Sequence, residues 1–208
     1  MNSKSEETHF GKKLTSHEDQ IESVQGVFTS VSEKYDLMND LMSLGLHRLW
    51  KKYLVNIMDV ESGQKILDLA AGTCDVTALL SNLNLDKLTL FSLDRNESML
   101  SLGRDKLINT GKYGRNFFLG GNAEKLPFRT SSLDRVVVAF GMRNFSSRST
   151  ALDEVYRVLK PGGKMLILEF SHLKSPYLDK IYSAYLKNSL PLIGKIITGD
   201  ASSYAYLA

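Results

Sequence analysis

The chain has 208 residues, 43% of them apolar and 24% charged, with a formal net charge of +3. That length supports a globular domain with a real core, and the mild basicity reads as solvated surface lysine rather than a nucleic-acid footprint. Cys74 is the single cysteine, which rules out disulfides within the chain and cysteine-cluster metal sites; a reducing cytoplasm is the expected compartment, and no run approaches the ~18 apolar residues of a membrane span.

Residues 1–20 are polar, lack the apolar stretch of a secretory signal, and are expected to form a flexible arm. Residues 21–60 read as a helical cap: Val24, Val27, Phe28, Val31 and Tyr35 make one apolar stripe, and a second amphipathic piece from about His47 to Met58 carries Trp50, Tyr53, Leu54 and Ile57. From 64 to 170 strand and helix alternate. Strands are expected at Lys65–Leu69, Leu88–Leu93, Asn116–Leu119, Leu133–Phe140 and Lys164–Phe170, and helices at Val76–Leu83, Ser98–Ile108 and Thr150–Leu159. The last helix presents Leu152, Val155, Tyr156 and Leu159 on one face, and Lys160–Gly163 (KPGG) reads as a stop-and-turn. This alternation predicts one α/β domain over 21–208, with a mostly parallel sheet and helices on both faces. The tail, 171–208, reads as a helix followed by an apolar piece broken by Pro191 and Gly194.

Ligands of a parallel sheet bind beyond the carboxyl ends of its strands. There the first strand ends in LDLAAGTCD, Leu67–Asp75: an acid, Asp68, then a loop of small residues that includes Gly72 and Thr73. Backbone N–H groups of such a loop, and the N-terminus of the helix after it, suit a carboxylate or phosphate. Asp94 closes the second strand, where a carboxylate can accept from both hydroxyls of a ribose. After the third strand, the Asn122 side-chain oxygen can accept from an adenine amino group, and the next N–H, of Ala123, can donate to a ring nitrogen. The dinucleotide fingerprint G-x-G-x-x-G is absent, since Ala70 holds its first position. S-adenosyl-L-methionine carries a carboxylate and an ammonium instead of a pyrophosphate, and Asp68, directly or through water, suits that ammonium.

The segments VSEKYDLMNDLMSLGLHRLWKK, LDLAAGTCDVT, GNAEKLPF, FGMRN and EVYRVLKPGGKMLILEFS, and a tail ending in YAYL, closely resemble the ubiquinone/menaquinone biosynthesis C-methyltransferases of the UbiE/MenG type. The resemblance covers about Val27 to Leu207. It implies a Rossmann-like class I methyltransferase fold and methyl transfer from S-adenosyl-L-methionine to a ring carbon of a polyprenylated quinol. The family's cofactor positions map onto Thr73, Asp94, Asn122 and Ala123. Three departures stand out. Cys74 replaces the usual glycine, and a side chain there crowds the loop if φ is positive. Ala139 replaces a frequent serine, and the family's sequences run on past the point where this chain stops, so the antiparallel hairpin that closes such sheets is expected to be missing.

Arg143 and Asn144, just past the fourth strand, are the candidates to face the transferred methyl: Arg143 by stabilising a phenolate or orienting a water, Asn144 by hydrogen-bonding a ring oxygen. His47 is the candidate for proton transfer, and Tyr35, Asp36 and Asn39 are candidates for contact with the substrate. No cluster has metal-ligand spacing. A polyprenyl quinol is the expected partner; nucleic acid is not. Peripheral contact with a membrane through Tyr177–Ile197, whose apolar residues interleave with lysines, and a homodimer are further expectations. Two alternatives remain open at this point: a methyltransferase for another small molecule, and a non-catalytic paralogue that retains cofactor or quinone binding.

Overall fold

The computed structural model describes residues 7–10, 13–16, 39–40 and 43–170. The chain divides into two compact units, Met1–Leu44 with Ser171–Ala208, and Gly45–Phe170. The boundary at Leu44/Gly45 cuts through the stretch read as a helical cap, so its second helix belongs with the α/β core.

In the first unit, the stretch expected as a flexible arm instead pairs strands β1 (Glu7–Phe10) and β2 (Lys13–Ser16) antiparallel, from Glu7↔Ser16 to Phe10↔Lys13. Thr8, Phe10 and Thr15 favour extended backbone, and two residues between strands is hairpin spacing. The helix expected around Val24–Tyr35, the candidates Tyr35 and Asp36, and everything read into 171–208 lie outside the described residues.

The second unit opens with α1 (Leu46–Ile57) and then alternates: β3 (Lys65–Leu69), α2 (Asp75–Ser81), β4 (Thr89–Asp94), α3 (Glu97–Asn109), β5 (Asn116–Gly120), β6 (Leu133–Ala139), a 3-10 turn (Met142–Asn144), α4 (Arg148–Val158) and β7 (Leu159–Leu168). The sheet order is β5-β4-β3-β6-β7, and every pairing in it is parallel. The chain runs outward from β3 to β5, then returns to lay β6 against the other side of β3. The switch between β3 and β6 opens the crevice in which this class of sheet binds ligands.

Alternation along the strands builds a core on each face. Leu67, Leu69, Leu93, Val136 and Val138 pack with Ala151, Val155 and Val158 of α4. Ile66, Leu90 and Val137 pack with Leu54, Val55 and Met58 at α1 and with Val76 and Leu80 of α2.

Two helix faces differ from the sequence reading. On α1 the buried side is His47, Lys51, Leu54 and Val55, while Tyr53 is 67% exposed. Lys51 is tolerated inside because its ammonium meets Asp75. On α4 the buried side is Ala151, Val155 and Val158, and Tyr156 is 85% exposed. Small and β-branched residues fit the close approach to the sheet better than leucine and tyrosine do. The helix does stop ahead of KPGG, at Val158, but the stretch does not separate helix from strand, because β7 already runs through it. Leu159 already pairs with Leu133, the next partner pair is Arg135↔Lys164, and Lys160–Gly163 bulges from the ladder, with Gly162 at φ +78°.

Candidate functional site

Because the five strands run parallel, the carboxyl ends that carry the candidate residues lie along one edge of the sheet. Backbone bonds lock this edge. The Ala71 N–H donates to the Leu93 carbonyl at 3.1 Å, the Gly121 N–H to the Asp94 carbonyl at 3.0 Å, and the Phe140 N–H to the Leu168 carbonyl at 2.7 Å. The β3–α2 loop is wound tightly: Ala70, Gly72 and Cys74 all have positive φ, at +57°, +53° and +60°. The crowding expected at Cys74 is therefore present, and the side chain is accommodated in a fully buried pocket with Leu100 and Leu107. Burial pushes its thiol pKa far up, so it stays a neutral thiol.

Asp94 ties the site together. Its Oδ2 accepts from the Gly72 N–H at 2.7 Å and its Oδ1 from the Asn96 N–H at 2.8 Å. It does not cap α3, since the Asn96 side chain does that by accepting from the Met99 N–H at 3.1 Å. Burial raises the Asp94 pKa, against the lowering effect of the Asn96, Gly72 and Arg95 N–H groups. A carboxylate offers about four acceptor sites, and these two bonds use one on each oxygen. A ribose diol fits what remains, and its donated hydrogen bonds would favour the ionised form.

Asp68 lies deeper than the sequence implies. It is 4% exposed, and its Oδ2 accepts from both the Thr77 N–H (3.0 Å) and the Thr77 hydroxyl (2.7 Å). The Thr77 hydroxyl also meets the Ser92 hydroxyl at 2.7 Å, so one buried polar chain joins β3, α2 and β4. Burial raises the Asp68 pKa to about 7 against the effects of Thr77 and Lys51. Thr73, in the β3–α2 loop, is buried as well.

Asn122 occupies a turn: its Oδ1 accepts from the Glu124 N–H at 3.2 Å and its carbonyl from the Lys125 N–H at 3.1 Å. The second lone pair of that oxygen and the amide N–H groups stay available to a base. Ala123 is buried in the core beneath it.

Arg143 and Asn144 form the 3-10 turn after β6, which Phe140 ends by adopting φ +60°. The Arg143 side chain is exposed, with its guanidinium 5.6 Å from the Phe170 ring centroid, and the Arg143 backbone N–H donates to Glu169 Oε1 at 3.3 Å. Phe170 stacks on Phe140 at 4.5 Å, and Trp50 lies 6.4 Å from Phe140 and 5.9 Å from Phe170. Gly141 brings this turn to the β3–α2 loop, for a Cβ there would stand 2.6 Å from the Ala70 Cβ. His47 is buried on α1. Asn39, in the first unit, is also buried, and its carbonyl accepts from the Ser43 hydroxyl at 2.7 Å.

Several residues that position the site escaped the sequence reading. Lys51 of α1 and Lys106 of α3 both grip Asp75, at 2.8 and 2.6 Å. Burial alone would raise the Asp75 pKa, but the two ammoniums hold it at about 2. Thr77, Ser92, Glu169, Glu154 and Arg157 belong to the same group; apart from the Glu154–Arg157 pair itself, their partners lie 9 to 31 residues away, so no local pattern marks them. The nearest signal was the closeness of Glu154 and Arg157 on α4. Among the described residues, no group of three or more His, Cys, Asp or Glu could hold a metal ion, and no helix is long and apolar enough to cross a membrane.

Comparison with known proteins agrees with this geometry. The ubiE/COQ5 methyltransferase family matches residues 14–208. Proteins named ubiquinone/menaquinone biosynthesis C-methyltransferase UbiE are 47% identical in Teredinibacter turnerae (97% of this chain, 81% of the relative) and 46% identical in Haemophilus ducreyi (100% and 80%). Among solved structures, a SAM-dependent methyltransferase from Aquifex aeolicus superposes with a TM-score of 0.57 at 20% identity, covering 67% of this chain and 76% of that one. The [4+2]-cyclase SpnF superposes with a TM-score of 0.54 at 20% identity, covering 60% and 46%, so the fold alone does not specify methyl transfer. Membership does not rest on the fold: the chain belongs to the ubiE/COQ5 methyltransferase family and is an S-adenosylmethionine-dependent methyltransferase with the Rossmann-like class I fold.

Proposed function

We propose that this enzyme methylates a ring carbon of a polyprenylated quinol, converting demethylmenaquinol to menaquinol, carrying out the corresponding step on a polyprenyl methoxybenzoquinol, or both. The observation that carries the reading is the Asp94 carboxylate, held by the Gly72 and Asn96 N–H groups at the strand edge it shares with the Asn122 loop and the Arg143 turn. The relatives' names supply the class of acceptor.

When bound, S-adenosyl-L-methionine supplies an electrophilic methyl on a sulfonium. Asp94 takes its ribose, the Asn122–Ala123 loop its base, and the β3–α2 loop its methionine end. Asp68 acts from beneath: its bonds to Thr77 fix the start of α2 and hence the loop. The acceptor needs an electron-rich carbon, which loss of a quinol hydroxyl proton provides, because a phenolate places charge on the ortho carbon. The Arg143 guanidinium, which cannot itself act as a base, stabilises that phenolate. Asn144 hydrogen-bonds a ring oxygen, and Trp50, Phe140 and Phe170 supply apolar surface beside Arg143 that excludes water. His47 takes up the proton in this reading. A polyprenyl acceptor resides in a bilayer, so peripheral contact with a membrane belongs to the same reading.

The test is methyl transfer from labelled S-adenosyl-L-methionine to demethylmenaquinol and to a polyprenyl methoxybenzoquinol, side by side. Label in at least one product is the expected result; label in neither overturns the proposal.

A further inference from the structure

The loop Asn122–Phe128 has no strand to pair with, yet Ala123 and Leu126 are buried in the core. Its backbone polar groups therefore need partners, which helix α4 supplies near its C-terminal end, while a loop carboxylate reaches back to the start of that helix. At the start of α4, Glu124 Oε1 accepts from the Ser147 N–H at 3.1 Å, where Ser147 is the helix cap. One turn from its end, Glu154 Oε2 accepts from the Leu126 N–H at 2.7 Å. Arg157 donates to the Leu126 carbonyl at 3.1 Å and to the Phe128 carbonyl at 2.8 Å. The same guanidinium grips Glu154 through two bonds, Nε to Oε1 at 2.6 Å and Nη2 to Oε2 at 2.7 Å. Both backbone groups of Leu126 are thus held by one ion pair whose two members also hold each other. Only the planar fork of arginine can serve a carboxylate and two carbonyls at once.

We infer that the Glu154–Arg157 pair positions the Asn122–Ala123 edge for recognition of the adenine base, and so sets the enzyme's preference for an adenosine cofactor. The inference rests on the cofactor reading above. The Asn122 oxygen and the Ala123 N–H are separated from Leu126 by a turn that is closed by the Asn122–Lys125 and Asn122–Glu124 bonds. The loop therefore moves as one piece, and loosening it at Leu126 shifts the edge offered to the base. The pair is assigned a positioning role, acting through the loop backbone to which both residues bond.

The test compares binding of S-adenosylhomocysteine with that of its hypoxanthine analogue, S-inosylhomocysteine, by calorimetry on the full chain. Exchanging the amino group for an oxo group reverses the donor and acceptor at the edge that Asn122 and Ala123 read. The native protein is expected to prefer the adenine compound by about tenfold or more. In Arg157→Lys and Glu154→Ala the preference is expected to shrink to about twofold, chiefly through weaker binding of the adenine compound. Glu154→Gln, which keeps one acceptor for the Leu126 N–H, should fall between. Leu54→Ala, a core truncation on the opposite face of the sheet, controls for lowered stability and should keep the native ratio. An unchanged ratio in the Arg157 and Glu154 variants, or a native protein that binds both compounds equally, overturns the inference. A native protein that binds neither overturns the cofactor reading itself.

Discussion

Gly103 of α3 is the residue that makes room for Cys74 of the β3–α2 loop: a Cβ at Gly103 would stand 2.5 Å from the Cys74 Sγ and 2.8 Å from the Thr73 carbonyl carbon. Gly→Ala inside a helix ordinarily stabilises by ~0.5–1 kcal/mol. Here the sign reverses, and Gly103→Ala is expected to destabilise by about 1–3 kcal/mol through overpacking. Adding Cys74→Gly removes the sulfur and the positive-φ strain but leaves Thr73 in place, so it should restore part of the loss. Urea unfolding of the two single variants and the double variant measures this coupling.

Asp94→Asn tests the ribose contact. Both carboxylate oxygens accept a backbone N–H, from Gly72 and from Asn96. An amide must turn its NH2 toward one of those donors, which sets two donors against each other. Affinity for S-adenosylhomocysteine is expected to fall about a hundredfold, since hydrogen bonds to a charged group carry ~1.5–3 kcal/mol each. Calorimetry reads the loss directly, and retained native affinity would remove Asp94 from the site.

Arg143→Ala separates chemistry from cofactor binding. The contact from residue 143 to Glu169 uses the backbone N–H, so the turn survives truncation of the side chain. Methyl transfer is expected to slow about a hundredfold or more, with affinity for S-adenosylhomocysteine unchanged. Equal losses in both would show that Arg143 shapes the cofactor site rather than the acceptor site.

The pH dependence of stability tests Asp68. Its pKa in the folded protein is raised from 3.8 to about 7 by burial, so folding disfavours the ionised form. Its stabilising contribution is complete below about pH 4 and is lost as pH rises through about 7. The span between those values sets an upper figure of ~4 kcal/mol. Asp68→Asn removes the titration, and the stability difference between variant and native protein should climb from pH 4 to 7 and level off above it. Urea midpoints across that range give the curve, and a flat difference would sink the assignment.

The two lysines on Asp75 should differ in weight. The Lys51 side chain is 7% exposed and the Lys106 side chain 41%. Lys51→Met strips a half-buried carboxylate of its better-shielded partner and is expected to cost about 2–3 kcal/mol. Lys106→Met, screened by solvent, should cost at most about 1 kcal/mol. Thermal or urea unfolding of both variants checks the order.

Much of the sheet was legible along the chain, because local signals carry it. Apolar runs bounded by Asp, Asn and Gly marked all five parallel strands, and Lys65–Leu69 matches residue for residue. Asp94, Gly72 and Asn122 were readable as site candidates because a strand end next to a loop is itself a local feature. Helix faces were less legible. On α4 the periodicity of Leu152 and Tyr156 pointed outward in the fold, since the sheet prefers the slimmer Ala151, Val155 and Val158. The KPGG stretch carries strong turn residues, yet pairing with β6 holds the chain extended on both sides of it.

From the order of its residues alone, this protein declares a parallel α/β sheet, an acid at the end of one strand and a small-residue loop at the end of another, because each follows from hydrophobic period and turn chemistry within a few neighbours. Which acid turns inward to Thr77 and which binds Gly72, where Lys51 finds Asp75, and how Arg157 reaches Leu126 depend on atoms brought together from 9 to 31 residues apart. Those contacts exist only once the sheet has closed, for burial and hydrogen-bond satisfaction are properties of the assembled interior.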